Sequence, residues 1–195
     1  MKNIDGIVPV YISQYDIATL KNKEIDIFIY TQASFEDEFW LKNLLDKWNQ
    51  ELIKWVKEEG KGLLVKHDVV GYRAYKSLFP EICEGGTWHT WSISGEEAKT
   101  CIIVKEHPAT KGFKKGDEFI HTYADHIQLA TGEKGTVIIR DKCHQKPVVI
   151  VGEAGKGRYI ADGMIDEAVG KKEYIPKDAE LKLLINYIRW LAKKS

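Results

Sequence analysis

The sequence predicts one α/β domain over residues 1–195, with a mostly parallel sheet and one antiparallel hairpin. Three observations carry that reading. First, IDIFIY at 25–30, an apolar helical stripe from Leu41 to Val56 and KGLLV at 61–65 follow one another as strand, helix and strand. Such a unit is a right-handed crossover between parallel strands. Second, Pro147–Val151 and Arg158–Ala161 are two apolar runs joined by GEAGKG, which is hairpin chemistry. Third, a helical pattern led by Asp178 closes the sequence, with Leu181, Leu184, Ile185, Ile188 and Leu191 expected to face the sheet.

Taken in order, residues 7–12 (IVPVYI) read as a strand whose Pro9 lacks an amide proton and suits an edge or a strand start. Thr31, Gln32 and Ser34 supply turn and capping chemistry before the long helix. Along it Leu41, Leu44, Leu45, Trp48, Leu52, Trp55 and Val56 recur at steps of three and four, and Gly60 and Gly62 end it. The next strand stops abruptly at His67–Asp68, with a glycine turn at Gly71. Tyr72–Phe79 reads as a short helix stopped before Pro80, and Glu84–Trp91 as a glycine-and-tryptophan loop. Further strands are expected at 100–104, 119–129 and 136–140.

Composition excludes several classes of function. The chain carries 29 basic and 29 acidic residues and has a formal net charge of zero, so no field of one sign draws nucleic acid or anionic lipid. No apolar run approaches the roughly 20 residues that cross a bilayer. No signal-peptide pattern opens the sequence. Cys83, Cys101 and Cys143 are odd in number and widely spaced, which excludes a disulfide framework and fits a cytoplasmic, reducing setting.

In open α/β sheets ligands gather outside the carboxyl ends of the strands. His67 and Asp68 stand at such an end, where an imidazole and a carboxylate suit proton transfer or a divalent metal. The bland alternative is a histidine bonded to a loop and an aspartate capping a turn. Trp88, His89 and Trp91 make an amphipathic wall suited to stacking a sugar or aromatic ring, unless both indoles simply pack beneath a glycine loop. His121 and His126 resemble a ligand pair. Their five-residue offset, however, puts them on opposite faces of one strand and off the helical register, which argues against zinc held by this segment alone. One of them combining with His67 or His89 stays open. GEAGKG fails as a phosphate loop, because no Ser or Thr follows the lysine and strands flank it. No nucleophile elbow follows the strand at 61–66, so covalent catalysis there is not expected.

Four motifs in order resemble the ThuA-like (trehalose-utilisation) family of the class I glutamine amidotransferase-like group. They are Gly60–His67; Gly85–Gly86–Thr87–Trp88–His89; His107–Pro108 before Gly112–Phe113; and Pro147–Val148 with Gly155–Lys156–Gly157–Arg158. The resemblance runs from about Asp26 to Met164. It implies a flavodoxin-like three-layer α/β sandwich without the glutaminases' catalytic cysteine, and a link to sugar metabolism. The sequence departs from the family at three places. The acidic Asp-Glu-x-Tyr segment has become His121–Thr122–Tyr123–Ala124–Asp125, Gly-His has become Gly163–Met164, and Trp91 stands near the glycine-pair histidine's place. Family members also begin with a strand and helix ahead of the segment matching residues 7–12. Their absence would leave a paired edge and an apolar face open. The expectation is that a homodimer, another segment, or a longer natural chain closes that gap.

The function expected is action on, or binding of, a small carbohydrate or related polar metabolite. His67 would serve as general acid/base or metal ligand, with Asp68 orienting it or sharing that catalytic role. Arg73 would hold a polar substrate group, Trp88 and Trp91 would stack, and His89 would add a polar contact. If an enzyme, the protein would be hydrolase- or isomerase-like, with no cofactor expected and a divalent metal left as an option. The alternatives are a non-catalytic interaction module and a metal-dependent hydrolase.

Overall fold

A computed structural model describes residues 6–9, 24–31, 38–73, 75–90, 95–122, 126–165 and 176–193, with the backbone alone for 38–45. Residues 10–12 of the strand expected at 7–12, the capping residues Gln32 and Ser34, and also Trp91, Tyr123 and Asp125 lie outside the described residues.

The described strands are β1 (Ile27–Tyr30), β2 (Gly62–Lys66), β3 (Cys83–His89), β4 (Thr100–Ile103), β5 (Glu118–Ile120), β6 (Ile127–Thr131), β7 (Thr136–Asp141), β8 (Pro147–Ala154) and β9 (Gly157–Asp162). Helix α1 spans Glu38–Glu59 and α2 spans Asp178–Leu191. Seven strands form one sheet in the order β1-β2-β9-β8-β7-β4-β5, and β3 pairs with β6 in a separate two-stranded ribbon. The pairings β1–β2 and β2–β9 are parallel, whereas every neighbour from β9 outwards is antiparallel. Five of the seven strands therefore point the same way, but only the first three are parallel neighbours, and the sheet is mixed. Among the described strands it has no internal gap: β2 is laddered to β1 on one edge and to β9 on the other.

Period-two alternation divides the core. On β2, Leu63 and Val65 join Trp48, Leu52, Trp55 and Val56 of α1, while Leu64 joins Leu183, Tyr187, Trp190 and Leu191 of α2. Each fully covered side chain of this size contributes about 1.5–3 kcal/mol. The buried face of α2 keeps Ile188 and Leu191 of the expected stripe, with Leu184 packed beside them, but it is not the leucine stripe throughout. Leu181 is 36% exposed, and the aromatic rings of Tyr187 and Trp190 take its place. The cap also differs, for Lys177 is the N-cap and makes no side-chain bond, leaving Asp178 as a first-turn acid.

The β8–β9 hairpin runs in register from Val149↔Asp162 to Ala154↔Gly157, with Gly155 at φ +61° in the turn, so GEAGKG is a hairpin tip. Two other segments differ from expectation. Tyr72–Phe79 holds no helix among its described residues, because the Ser77 hydroxyl donates to the Cys83 carbonyl and ties the segment down beside β3. The expected glycine loop is strand β3, where Gly85 at φ +129° lies between the register shifts that pair the strand with β6. The expected strand 119–129 is in fact β5 and β6, which belong to different sheets.

Candidate functional site

The parallel ladder sets Lys66, at the end of β2, opposite Asp162, at the end of β9, and their side chains meet at 2.6 Å with almost no exposure. Asp162 also accepts from the Met164 amide at 2.9 Å. His67 opens the 3-10 helix His67–Val70 at φ +51°, a left-handed conformation that costs a non-glycine residue about 1–2 kcal/mol. Its Nδ1 lies 3.4 Å from Asp68 Oδ1, and Arg73 Nη1 lies 3.7 Å from Asp68 Oδ2. Asp68 is fully buried, and Arg73 is nearly half exposed.

The expectation that the His67 ring faces an open crevice is corrected here. It is only 6% exposed, because the 3-10 helix is packed against the ribbon. Gly86 N–H donates to the Gly71 carbonyl at 3.1 Å, and the Tyr72 ring meets the His89 ring edge-on at 6.1 Å. The ribbon thus brings the two sequence candidates into one neighbourhood. On its outer side Trp88, 38% exposed, stacks on His89 at 5.9 Å and meets His144 edge-on at 5.4 Å.

The sequence reading missed a buried polar chain between these groups. His121 extends the β4–β5 ladder by one step, its amide bonding to Lys99 O at 3.0 Å. His126 is fixed by a bridge to Met164 and by reciprocal bonds with Thr90. The chain passes from the large sheet to the ribbon between them, so the opposite-face argument, which assumed a single strand, does not hold. His121 Nε2 and His126 Nδ1 stand 3.0 Å apart. Beyond them His126 Nε2 faces Asp141 Oδ2 at 3.6 Å, and that oxygen accepts from Gln128 Nε2 at 2.7 Å. The other Asp141 oxygen accepts from the His144 amide at 2.6 Å and lies 3.6 Å from the Cys143 thiol. The approach is close: a Cβ on Gly163 would sit 2.0 Å from Ile127 O, so only glycine lets β6 lie against the end of β9.

Environment sets the protonation states. Burial, then the charges of His126, Lys99, Lys66 and His67, holds His121 well below the usual imidazole range, so the ring is neutral. Burial works to raise Asp141, but the nearby His126 ring and the bonds from the His144 amide and Gln128 outweigh it and keep the carboxyl ionised. None of the three thiols is an activated nucleophile. Burial pushes Cys83 up to about 12, and burial with the neighbouring carboxylates raises Cys101 strongly and Cys143 less. The only warning of this chain in the sequence was the pair His121 and His126. Asp141, Cys143 and His144 sit together at the end of β7, but a strand end followed by a turn gives no reason to single them out.

A shallow groove beside α2, lined by Lys111, Asp178, Lys182 and Arg189 among others, includes none of these residues. No described helix is long and apolar enough to cross a membrane.

Comparison with known proteins shows the fold. No family model matches the chain, and no curated protein matches it. Among solved structures, a cytoplasmic protein from Salmonella typhimurium superposes with a TM-score of 0.63 at 17% identity, covering 92% of this chain and 76% of that one. A putative GMP synthase component from Thermoplasma acidophilum gives 0.53 at 11% identity, covering 92% and 79%. A putative ThuA-like protein from Parabacteroides merdae gives 0.51 at 13% identity, covering 87% and 71%. At these identities the likeness is one of architecture: the chain has an α/β fold similar to that of ThuA-like and amidotransferase-like proteins.

Proposed function

We propose that the protein binds a small polar metabolite of the sugar kind in the cytoplasm and acts on it by proton transfer, without a covalent cysteine intermediate. The observation that carries this reading is the gathering of ionisable groups where β2 and β9 end. Lys66–Asp162, His67–Asp68–Arg73 and His121–His126–Asp141 come from distant parts of the sequence and meet beside one exposed indole. Burying so many charges costs several kcal/mol that packing alone would not spend. The strained backbone at His67 and Arg73, both left-handed, is of the sort found where geometry serves a ligand.

In this reading the face of Trp88 stacks against the ring of the ligand and His89 supplies a polar contact. Arg73 holds a hydroxyl or carboxylate, and His67, oriented by Asp68, exchanges the proton. The resemblance to ThuA-like proteins supports the sugar class. A non-catalytic module of the same fold would not need so many buried titratable groups.

A thermal-shift screen with sugars, keto-sugars and divalent cations tests the proposal, since a ligand that binds only the native state raises its Tm. The expected result is a shift with a sugar-like compound that His67→Ala and Trp88→Ala each abolish while unfolding stays cooperative. Equal shifts for wild type and both variants would remove these residues from the site.

A further inference from the structure

We propose that Cys101, His121 and His126 form a mononuclear zinc site, with Asp141 behind His126 as the carboxylate that orients it. The inference does not rest on the sugar reading and can fail or stand alone.

The donor set comes first. One ligand atom from each of the three residues lies within 4.8 Å of the others, and their exposures are 0%, 1% and 0%. A tetrahedral ion with Zn–S near 2.3 Å and Zn–N near 2.0–2.1 Å needs donors separated by about 3.3–3.7 Å, so small ring and thiol rotations close the site. One thiolate with two imidazoles suits zinc, and three protein ligands leave the fourth position for water or substrate.

The second observation is unsatisfied chemistry at the same place. His121 Nδ1 is buried and has no hydrogen-bond partner, and His126 Nε2 lies too far from Asp141, at 3.6 Å, for a good bond. Buried polar atoms are otherwise almost always paired. A cation held by Nδ1 of both histidines would resolve both features, because it takes up the orphaned His121 lone pair and makes His126 Nε2–H a stronger donor to the carboxylate.

The third is rigidity and charge. Cys101 is laddered between β5 and β7, His121 bonds to Lys99, and His126 is held by Met164 and Thr90, so the donors are positioned by backbone. When zinc binds, the Cys101 S–H bond breaks, the sulfur pair goes to the metal and the proton leaves to solvent. Thiolate and Asp141 carboxylate together then balance the divalent charge.

The Asp141–Cys143–His144 group also offers thiol, imidazole and carboxylate, but two of its members are half-buried or exposed. It is therefore the natural control. The test is titration of the chelator-treated protein with Zn²⁺ alone and, separately, with Co²⁺. The expectation is one equivalent of zinc per chain and, with cobalt, a near-ultraviolet thiolate charge-transfer band together with intense tetrahedral visible bands. Both should persist in the Cys83→Ser/Cys143→Ser double variant, whose only thiol is Cys101. Cys101→Ser should lose the charge-transfer band and more than about 100-fold in zinc affinity, and Asp141→Asn should lose about 10- to 100-fold. Absence of stoichiometric zinc, or disappearance of the band in the double variant, overturns the proposal even if Cys101→Ser does not fold.

Discussion

Asp141 stands between two ends of one polar seam, and the ends behave differently. Its inner oxygen faces His126 and Gln128, in a region with Cys101, His121 and the Lys66–Asp162 pair where exposure is at most a few per cent. Its outer oxygen faces the His144 amide and Cys143, beside the exposed Trp88. The residue types are nearly the same at both ends. What differs is water. At the outer end solvent completes any missing bond, so the groups are individually dispensable for folding. At the inner end each charge needs a partner supplied by the protein, so one substitution leaves another group stranded.

The sharpest way to break this contrast is Lys66→Met. It keeps the length of the side chain but leaves Asp162 buried without its cation, and should cost about 3–5 kcal/mol in denaturant unfolding. The outer counterpart, His144→Ala, removes an exposed ring whose Nδ1 lies 3.0 Å from Gln128 Nε2, and should cost less than about 1 kcal/mol in the same measurement. If the two costs were equal, burial would not be what separates the ends.

A smaller effect tests the same logic away from the seam, at His107. Its neutral Nδ1 accepts the Ala109 amide at 3.1 Å and caps a short 3-10 turn, beneath the edge-on ring of Trp190. Burial first, then Lys105 and Arg158, lowers its pKa below the ordinary imidazole value. The unfolded chain therefore takes up this proton at higher pH than the folded one. The stabilisation is complete above about pH 6.5 and is lost as pH falls through the depressed folded value. His107→Asn keeps an acceptor for the cap without a titrating ring. It should flatten the fall in Tm between about pH 7 and 5 by an amount worth less than about 1 kcal/mol, since the ring is partly exposed. A steeper fall in the variant would reverse the sign and refute the assignment.

How much of this was legible in the sequence depends on what decides each segment. The β8–β9 hairpin and the described part of the α1 stripe, Trp48 to Val56, are decided locally, by turn residues and by period, and both appear where the sequence puts them. The two-sided burial of β2 was likewise readable from an uninterrupted apolar run. The stretch 118–131 is decided by its partners. Phe119 pairs with Cys101 in one sheet and Leu129 with Gly86 in another, and nothing within the segment announces the change of sheet. Because the face on which each histidine lies follows from that change, counting residues from His121 to His126 gave the wrong geometry. Glu84–Trp91 misled for the opposite reason. Its glycines suggest a loop, but they permit an irregular strand to be laid closely against Tyr72 and Ile127. In both segments long-range pairing overrides local preference.

The contact between the rings of His121 and His126 joins two pieces of backbone that are otherwise laddered separately, one to the large sheet and one to the ribbon. It works as a clasp. Whatever tightens or loosens that clasp acts on the docking of the whole ribbon. Because β3 is the other half of the ribbon, a change at the clasp in the dry interior would reach the surface indole through the ribbon's backbone as well as through Asp141 and His144.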